Sequence, residues 1–130
     1  MIDIHAMRPE ERSKVWQWWM RVLRSRPGCS RKPFGQAVDR LLDDPETEVL
    51  VAELSAVPGE PLGFVARQGS GLLMVFVLAQ VNGVKSRRRG FATALLNASA
   101  EGMEHVEARY HTPLGRALMG SWQRSRRRAA

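Results

Sequence analysis

The sequence contains few of the residues that disulfides and metal centres require. Its 130 residues include one cysteine, Cys29, and three histidines, so an intramolecular disulfide is impossible and no histidine–cysteine spacing typical of metal ligation occurs. A single cysteine fits a reducing compartment, and we expect a cytoplasmic protein without a bound metal. These shortages exclude a fold held together by disulfides.

Long apolar segments are also missing. The longest apolar run, Leu72–Ala79, is much shorter than the ~20 residues that a membrane-spanning helix needs. Residues 1–5 lack the cationic start and extended apolar core of a secretion signal. We therefore expect no contact with a membrane.

What remains is the composition of a globular protein with excess positive charge. Apolar residues make up 44% of the chain, charged residues make up 25%, and the net charge is +7. This length and composition predict one domain over residues 1–123, followed by a basic tail over residues 124–130. Arginines cluster at 21–31, 87–89 and 124–128, and such a surface suits nucleic acid, an acidic protein or a polyanionic cofactor.

Apolar periodicity and turn residues predict the order β-α-α-β-β-β-α. The predicted elements are a strand near residues 1–7, helices at 9–26 and 34–44, and strands at 48–54, 62–67 and 72–81, before a last helix. The unbroken apolar character of the strand at 72–81 predicts burial on both faces and a central place in the sheet.

The first helix is expected to bury one apolar stripe. Residues three and four apart along it share a face, and the stripe consists of Val15, Trp16, Trp19, Met20 and Leu23. This spacing leaves Trp18 on another face, where it is either a packing residue or part of the wall of an acceptor pocket.

The turn before the last helix carries the clearest chemical signal. A strand that ends in a glycine-containing turn and opens a helix leaves backbone N–H groups without partners, and the helix dipole there favours an anion. Gly90 allows a ligand to approach the backbone closely, and Arg87, Arg88 and Arg89 place positive charge beside it. The stretch is either an ordinary basic turn or a phosphate site.

The spacing Arg87-x-x-Gly90-x-Ala92 resembles the Q/R-x-x-G-x-G/A signature of the Gcn5-related N-acetyltransferases (GNAT). The resemblance extends from the start of the chain to about Leu96. It implies an α+β fold with a mixed, mostly antiparallel sheet flanked by helices. It also implies a single acyl-CoA N-acyltransferase domain, which transfers an acetyl group from acetyl-CoA, its cosubstrate, to a primary amine of a small molecule or protein.

The same resemblance assigns the acetyl-CoA site. In the family this loop and helix start grip the pyrophosphate, and the backbone just before them pairs with the pantetheine arm. The implied cofactor-binding residues are Val81, Asn82, Val84, Arg87, Arg88, Arg89, Gly90, Phe91, Ala92 and Thr93. Val84 stands where the family usually has proline, a mild departure because a backbone contact does not depend on the side chain.

Candidates for catalysis are fewer. Acetyl transfer needs a route by which the amine loses its proton, and an acid can protonate the departing thiolate. Glu48 and Glu53 on the second strand are candidate bases, and Tyr110 is the only tyrosine and so the only candidate for the family's usual acid. A surface or capping role is the alternative for each.

The C-terminal part departs from the family pattern. Only 34 residues follow Leu96, too few for all the elements that the family adds. Residues 105–110 are predicted as a strand or, by the interpretation we favour, as part of one helix from about Arg89 to His111. That helix would place Tyr110 about 30 Å from Gly90, so by this interpretation Tyr110 is a packing or interface residue and not the acid. A second copy of the chain, in a homodimer, would complete such a shortened domain.

A different class of function competes with the enzyme. The alternative is a non-catalytic protein of this fold that contacts nucleic acid or an acidic protein through its arginine clusters. Binding of acetyl-CoA separates the two hypotheses, and a steep loss of nucleic-acid affinity with salt would favour the second.

Overall fold

The computed structural model describes residues 2–24, 31–55, 59–78, 80–81, 84–85, 91–101, 107–108 and 120–124. The elements in chain order are β1 (Ile2–Ala6), a 3-10 turn (Pro9–Glu11), α1 (Arg12–Arg24), α2 (Arg31–Asp43), β2 (Thr47–Leu54), β3 (Pro61–Gln68), β4 (Gly71–Val77), β5 (Gln80–Val81), β6 (Val84–Lys85), α3 (Phe91–Ser99) and β7 (Glu107–Ala108). Residues 120–124 are helical. None of the helices described is long and apolar enough to cross a membrane.

The sheet is mixed and mostly antiparallel, as predicted. Its strand order is β1-β2-β3-β4-β7, and β5 and β6 form a separate two-stranded ladder. Strands β1 to β4 pair antiparallel with their neighbours, whereas β7 runs parallel to β4. The turn between β3 and β4 contains Gly69 at φ +55°, a left-handed conformation that glycine adopts without strain. The predicted α+β fold class is confirmed.

The doubly buried strand is β3 and not β4. Residues Leu62 to Ala66 are all buried, whereas in β4 only Leu72 and Met74 are buried and the residues between and after them are half-buried. The expectation that β4 lies at the centre of the sheet is therefore wrong. Among the described residues, β4 pairs with β7 over two residues, so β3 has the longer pairings on both edges.

Helices α1 and α2 cover one face of the sheet, and the predicted stripe of α1 needs one correction. Trp18 is buried, and its ring stacks on Phe76 at 5.4 Å and on Phe64 at 6.2 Å. Trp16 is the half-buried residue, and its Nε1 donates a hydrogen bond to Gly35 O in α2 at 3.4 Å. Because α1 packs on both the sheet and α2, its apolar face is wider than a single stripe.

An ion pair also joins the two helices. Arg12 Nη2 lies 2.8 Å from Asp43 Oδ1 and 3.2 Å from Asp39 Oδ1. The hydrogen bond to Asp43 raises the pKa of the Arg12 guanidinium. The pair is partly exposed, so its contribution to stability is on the order of 0.2–1 kcal/mol.

Helix α3 covers the other face, and it is much shorter than expected. It ends at Ser99, whose Oγ donates a hydrogen bond to Leu96 O at 2.8 Å. A serine that binds a backbone carbonyl in this way competes with helix continuation. The single helix from Arg89 to His111 is therefore wrong, and Glu107–Ala108 is a strand, as the alternative interpretation predicted. Strand pairing with β4 outweighs the local helix preference of this segment.

Candidate functional site

Four strands meet at the end of the sheet where β4 finishes, which we call the β4 end. The register places Asp3 beside Glu53 and Glu53 beside Pro61. It also places Ala52 beside Gly63 and Gly63 beside Val77. This end of the sheet is therefore formed by four strand ends: the start of β1, the end of β2, the start of β3 and the end of β4.

Gly63 allows β3 and β4 to lie close together there. A Cβ at this position would collide with Phe76 O and would lie 3.1 Å from Val77 Cα. Both are backbone atoms, which cannot move aside without shifting β4. The exact position of the β4 end therefore depends on a residue without a side chain.

The chain leaves β4 through a short hairpin and then enters α3. Gln80 pairs with Lys85 and Val81 with Val84 in the antiparallel ladder of β5 and β6. The predicted strand over 72–81 is thus divided, because β4 ends at Val77 and its continuation turns into this hairpin.

The start of α3 is anchored in the core. Phe91 in its first turn is buried, and Leu95 and Leu96 are completely buried against the sheet. Ala92 is half-buried and Thr93 is exposed. None of the nine residues of α3 carries a charge, so no acid in its first turn offsets the positive end of the helix dipole.

Five of the ten predicted cofactor residues lie in the described part of the chain. Val81 and Val84 pair with each other, and Phe91, Ala92 and Thr93 form the first turn of α3. The other five, Asn82, Arg87, Arg88, Arg89 and Gly90, lie outside the described residues. Their assignment to acetyl-CoA remains a prediction.

The two candidate bases lie at opposite ends of β2. Glu48 is exposed at its start, beside Arg67 of β3, and forms an ion pair with the Arg67 guanidinium. Glu53 lies at the β4 end, is 6% exposed, and accepts a hydrogen bond from Gly59 N at 3.0 Å. The two residues are about 17 Å apart along the strand at 3.4 Å per residue. The third candidate, Tyr110, lies outside the described residues.

The sequence interpretation missed a group of charged side chains around His5. One ligand atom each from Asp3, His5 and Glu53 lies within 4.8 Å of the others. His5 Nε2 lies 3.0 Å from both carboxylate oxygens of Glu11. The available signal was the spacing Asp3-x-His5 within one strand, which puts both side chains on one face.

Comparison with known proteins shows what the fold resembles. No protein-family model matches the chain, and neither does any curated protein. Solved structures match over most of its length. A ribosomal-protein-alanine N-acetyltransferase from Brucella melitensis biovar Abortus is 19% identical at a TM-score of 0.66, and the match covers 91% of this chain and 88% of that one.

Two further structures have the same fold. A GCN5-related N-acetyltransferase from Ralstonia eutropha is 17% identical at a TM-score of 0.64, over 93% of this chain and 90% of that one. AAC(6')-Iy, in complex with the bisubstrate analogue CoA-S-monomethyl-acetylneamine, is 16% identical at a TM-score of 0.64, over 95% of this chain and 88% of that one. The fold of this chain is that of the Gcn5-related N-acetyltransferases.

Proposed function

We propose that this protein is an N-acetyltransferase that transfers the acetyl group of acetyl-CoA to a primary amine of a small molecule or a protein. The observation that carries the proposal is the position of α3. The fold is shared with solved acetyltransferases. In this chain α3 begins at Phe91, directly after Arg87-x-x-Gly90, and none of its residues is charged.

Binding of the pyrophosphate is supported by the physics of the helix start. The first N–H groups of a helix have no partners within the helix and attract phosphate oxygens. Buried Phe91, Leu95 and Leu96 fix the direction of α3, so these N–H groups are held in place before a ligand arrives. Three successive arginines, Arg87 to Arg89, precede the helix and supply charge-assisted hydrogen bonds to phosphate.

The chemistry requires little from the chain beyond positioning. The amine nitrogen attacks the thioester carbonyl, the C–S bond breaks as the amide forms, the nitrogen loses a proton, and the thiolate gains one. Holding the two reactants together supplies a large part of the rate enhancement. Coenzyme A is a tolerable leaving group because a thiol has an ordinary pKa of about 8.5.

Among the candidate bases, Glu53 fits this scheme better than Glu48. It lies at the β4 end, two strands from β4, whereas Glu48 lies at the opposite end and is paired with Arg67. β2 and β4 are two strand spacings apart, about 10 Å, which is too far for direct proton transfer. In this proposal Glu53 therefore accepts the proton of the amine through water. We propose Tyr110 as the acid.

The acceptor is proposed only as a class. One neighbour named above is a ribosomal-protein-alanine N-acetyltransferase, and another is in complex with a bisubstrate analogue that contains acetylneamine. Alanine and neamine are both amines. The homodimer and the contact with nucleic acid stay predictions. The alternative function, a non-catalytic protein that binds its partner through the arginine clusters, stays a prediction as well.

The test is release of coenzyme A thiol from acetyl-CoA in the presence of a panel of primary amines. We expect thiol release that depends on the added amine for the wild-type chain and none for Gly90→Glu, which would place a carboxylate where the pyrophosphate binds. Gln17→Glu adds the same charge at an exposed position of α1 and is the matched control. Equal thiol release by wild type and Gly90→Glu would contradict the proposal.

A further inference from the structure

Four side chains converge where β1 and β2 meet at the β4 end. His5 Nδ1 lies 3.3 Å from Asp3 Oδ2, and its Nε2 lies 3.0 Å from both oxygens of Glu11. Glu53 is the register neighbour of Asp3 across the strand pair. Strand alternation therefore places Asp3 and His5 on one face, and Glu53 reaches the same point from β2.

This group is short of positive charge. Glu11 and Glu53 are each 6% exposed, and burial of a carboxylate is costly unless it is compensated. Glu11 accepts one hydrogen bond from Arg8 N and faces His5, while Glu53 accepts one from Gly59 N. Within the described ranges, no lysine or arginine forms an ion pair with Asp3, Glu11 or Glu53.

The contacts of the His5 ring indicate where a cation would sit. His5 Nε2 faces Glu11 and His5 Nδ1 faces Asp3. In the tautomer that donates its Nε2–H to Glu11, the lone pair of Nδ1 is directed toward the carboxylate of Asp3. Two acceptors facing each other repel unless a cation lies between them. A carboxylate that holds the far nitrogen of an imidazole while the near nitrogen binds an ion is the usual arrangement at metal-bound histidines.

We propose that Asp3, His5 Nδ1 and Glu53 bind a divalent transition-metal cation of the zinc type, with Glu11 orienting the imidazole. Imidazole and carboxylate donors suit Zn²⁺. Metal bonds of about 2.1 Å place tetrahedral ligand atoms roughly 3.4 Å apart. The distance between Asp3 Oδ2 and His5 Nδ1, 3.3 Å, already has that spacing. The three ligand atoms all lie within 4.8 Å of one another, so no pair needs to approach by more than about 1.4 Å on binding. Three protein ligands leave a fourth position for water.

The metal site shares Glu53 with the proposed acetyl transfer, and a Glu53 carboxylate bound to Zn²⁺ would not accept the amine proton. The metal site lies on β1 and the adjoining end of β2, and β1 is three strands from β4, a distance of about 14 Å across the sheet. Its effect is to add a link between β1 and β2, which are already paired, and to neutralise buried carboxylates. The inference does not rest on the proposed function and has its own readout.

The first test is a calorimetric titration of the full chain with ZnCl₂ after treatment with chelator. We expect one Zn²⁺ per chain for wild type, and at least a tenfold weaker affinity for His5→Gln and for Glu53→Gln. Glu48→Gln neutralises a carboxylate on the same strand, at its opposite end, and is the matched control, for which we expect wild-type affinity. Glu11→Gln should weaken binding about 10-fold to 100-fold, the range for the loss of an orienting carboxylate.

A second measurement does not depend on the folding of any variant. X-ray absorption at the zinc edge of the wild-type complex should show nitrogen and oxygen ligands and the scattering of one imidazole. Two or more imidazoles, or sulfur from Cys29, would place the metal elsewhere and overturn the proposal. Absence of Zn²⁺ binding by wild type, or equal binding by wild type, His5→Gln and Glu53→Gln, would overturn it as well.

Discussion

Trp122 Nε1 donates a hydrogen bond to Asn97 Oδ1 at 2.8 Å, and this contact joins the helical residues 120–124 to α3. The Trp122 ring is buried in the cluster that contains Leu95 and Leu96. The same cluster anchors the start of α3 through Phe91. Residues near the end of the chain therefore support the helix at which we propose that acetyl-CoA binds.

Replacement of Trp122 should destabilise the fold. We expect Trp122→Ala to lower the free energy of unfolding by about 3–5 kcal/mol, the range for loss of a buried aromatic side chain. Urea denaturation followed by circular dichroism measures the change. Ser121→Ala, at an exposed position of the same helix, is the control and should change stability by less than about 0.5 kcal/mol. A loss below 1 kcal/mol for Trp122→Ala would contradict the packing role.

Removal of the basic tail should separate the two competing functions. We expect deletion of residues 124–130 to leave acetyl-CoA affinity unchanged, because Arg87 to Arg89 supply the charge at the proposed phosphate site. Any non-specific DNA binding should weaken, and each lost phosphate contact should reduce its salt slope by roughly 0.9. Fluorescence anisotropy over a range of salt concentrations measures the slope, and calorimetry measures acetyl-CoA affinity. A loss of acetyl-CoA binding in the truncated chain would show that the tail reaches the cosubstrate.

Gly63→Ala should disturb both stability and ligand binding. The added Cβ collides with Phe76 O, so β3 and β4 must separate, at a cost of about 1–3 kcal/mol, as for other overpacked positions. Because the β4 end leads to the proposed site, acetyl-CoA affinity should fall as well. Gly120→Ala is the control, since among the described residues its Cβ would meet the Arg124 side chain, at 3.4 Å, which can move aside. Unfolding curves that coincide for wild type and Gly63→Ala would refute the close approach.

The sequence was sufficient for the elements that local patterns determine. The strands and the first two helices follow from apolar alternation, from the 3.6-residue period and from proline and glycine at their ends. The end of α3 was not predictable in this way, because the residues after Ser99 are good helix formers and the pairing of Glu107 with Gly71 is distant in sequence. Trp18 was misplaced because a one-stripe pattern does not show that α1 has two packing neighbours.

In the candidate site, too, the local features were predictable from the sequence and the contacts between distant residues were not. The helix start after Gly90 is a local feature, and the sequence predicted it. The convergence of His5 and Glu53 depends on the register of β1 against β2, and no local pattern reports which residues face each other across two strands separated by two helices. For that reason Glu53 was predicted as a catalytic candidate, while its neighbours Asp3 and His5 were not singled out.

The correction to α3 reverses the expectation for Tyr110. The helix that would have carried Tyr110 far from Gly90 does not exist. β7 runs parallel to β4, so the chain at Ala108, which lies beside Leu72 near the start of β4, is directed toward the β4 end. Tyr110 follows two residues later in the sequence. We expect Tyr110→Phe to lower kcat for acetyl transfer at least tenfold, because the phenol is the proposed acid, and to leave acetyl-CoA affinity unchanged. A change in kcat of less than threefold would exclude this role.

The most direct measurement is a calorimetric titration of the wild-type chain and Gly90→Glu with acetyl-CoA. We expect binding in the micromolar range by wild type, one ligand per chain, and no measurable heat for Gly90→Glu. Gln17→Glu should bind like wild type, which separates the position of the added carboxylate from its charge. If wild type gives no heat with either acetyl-CoA or coenzyme A, or if Gly90→Glu binds as tightly as wild type, the proposed acetyl-CoA site is contradicted.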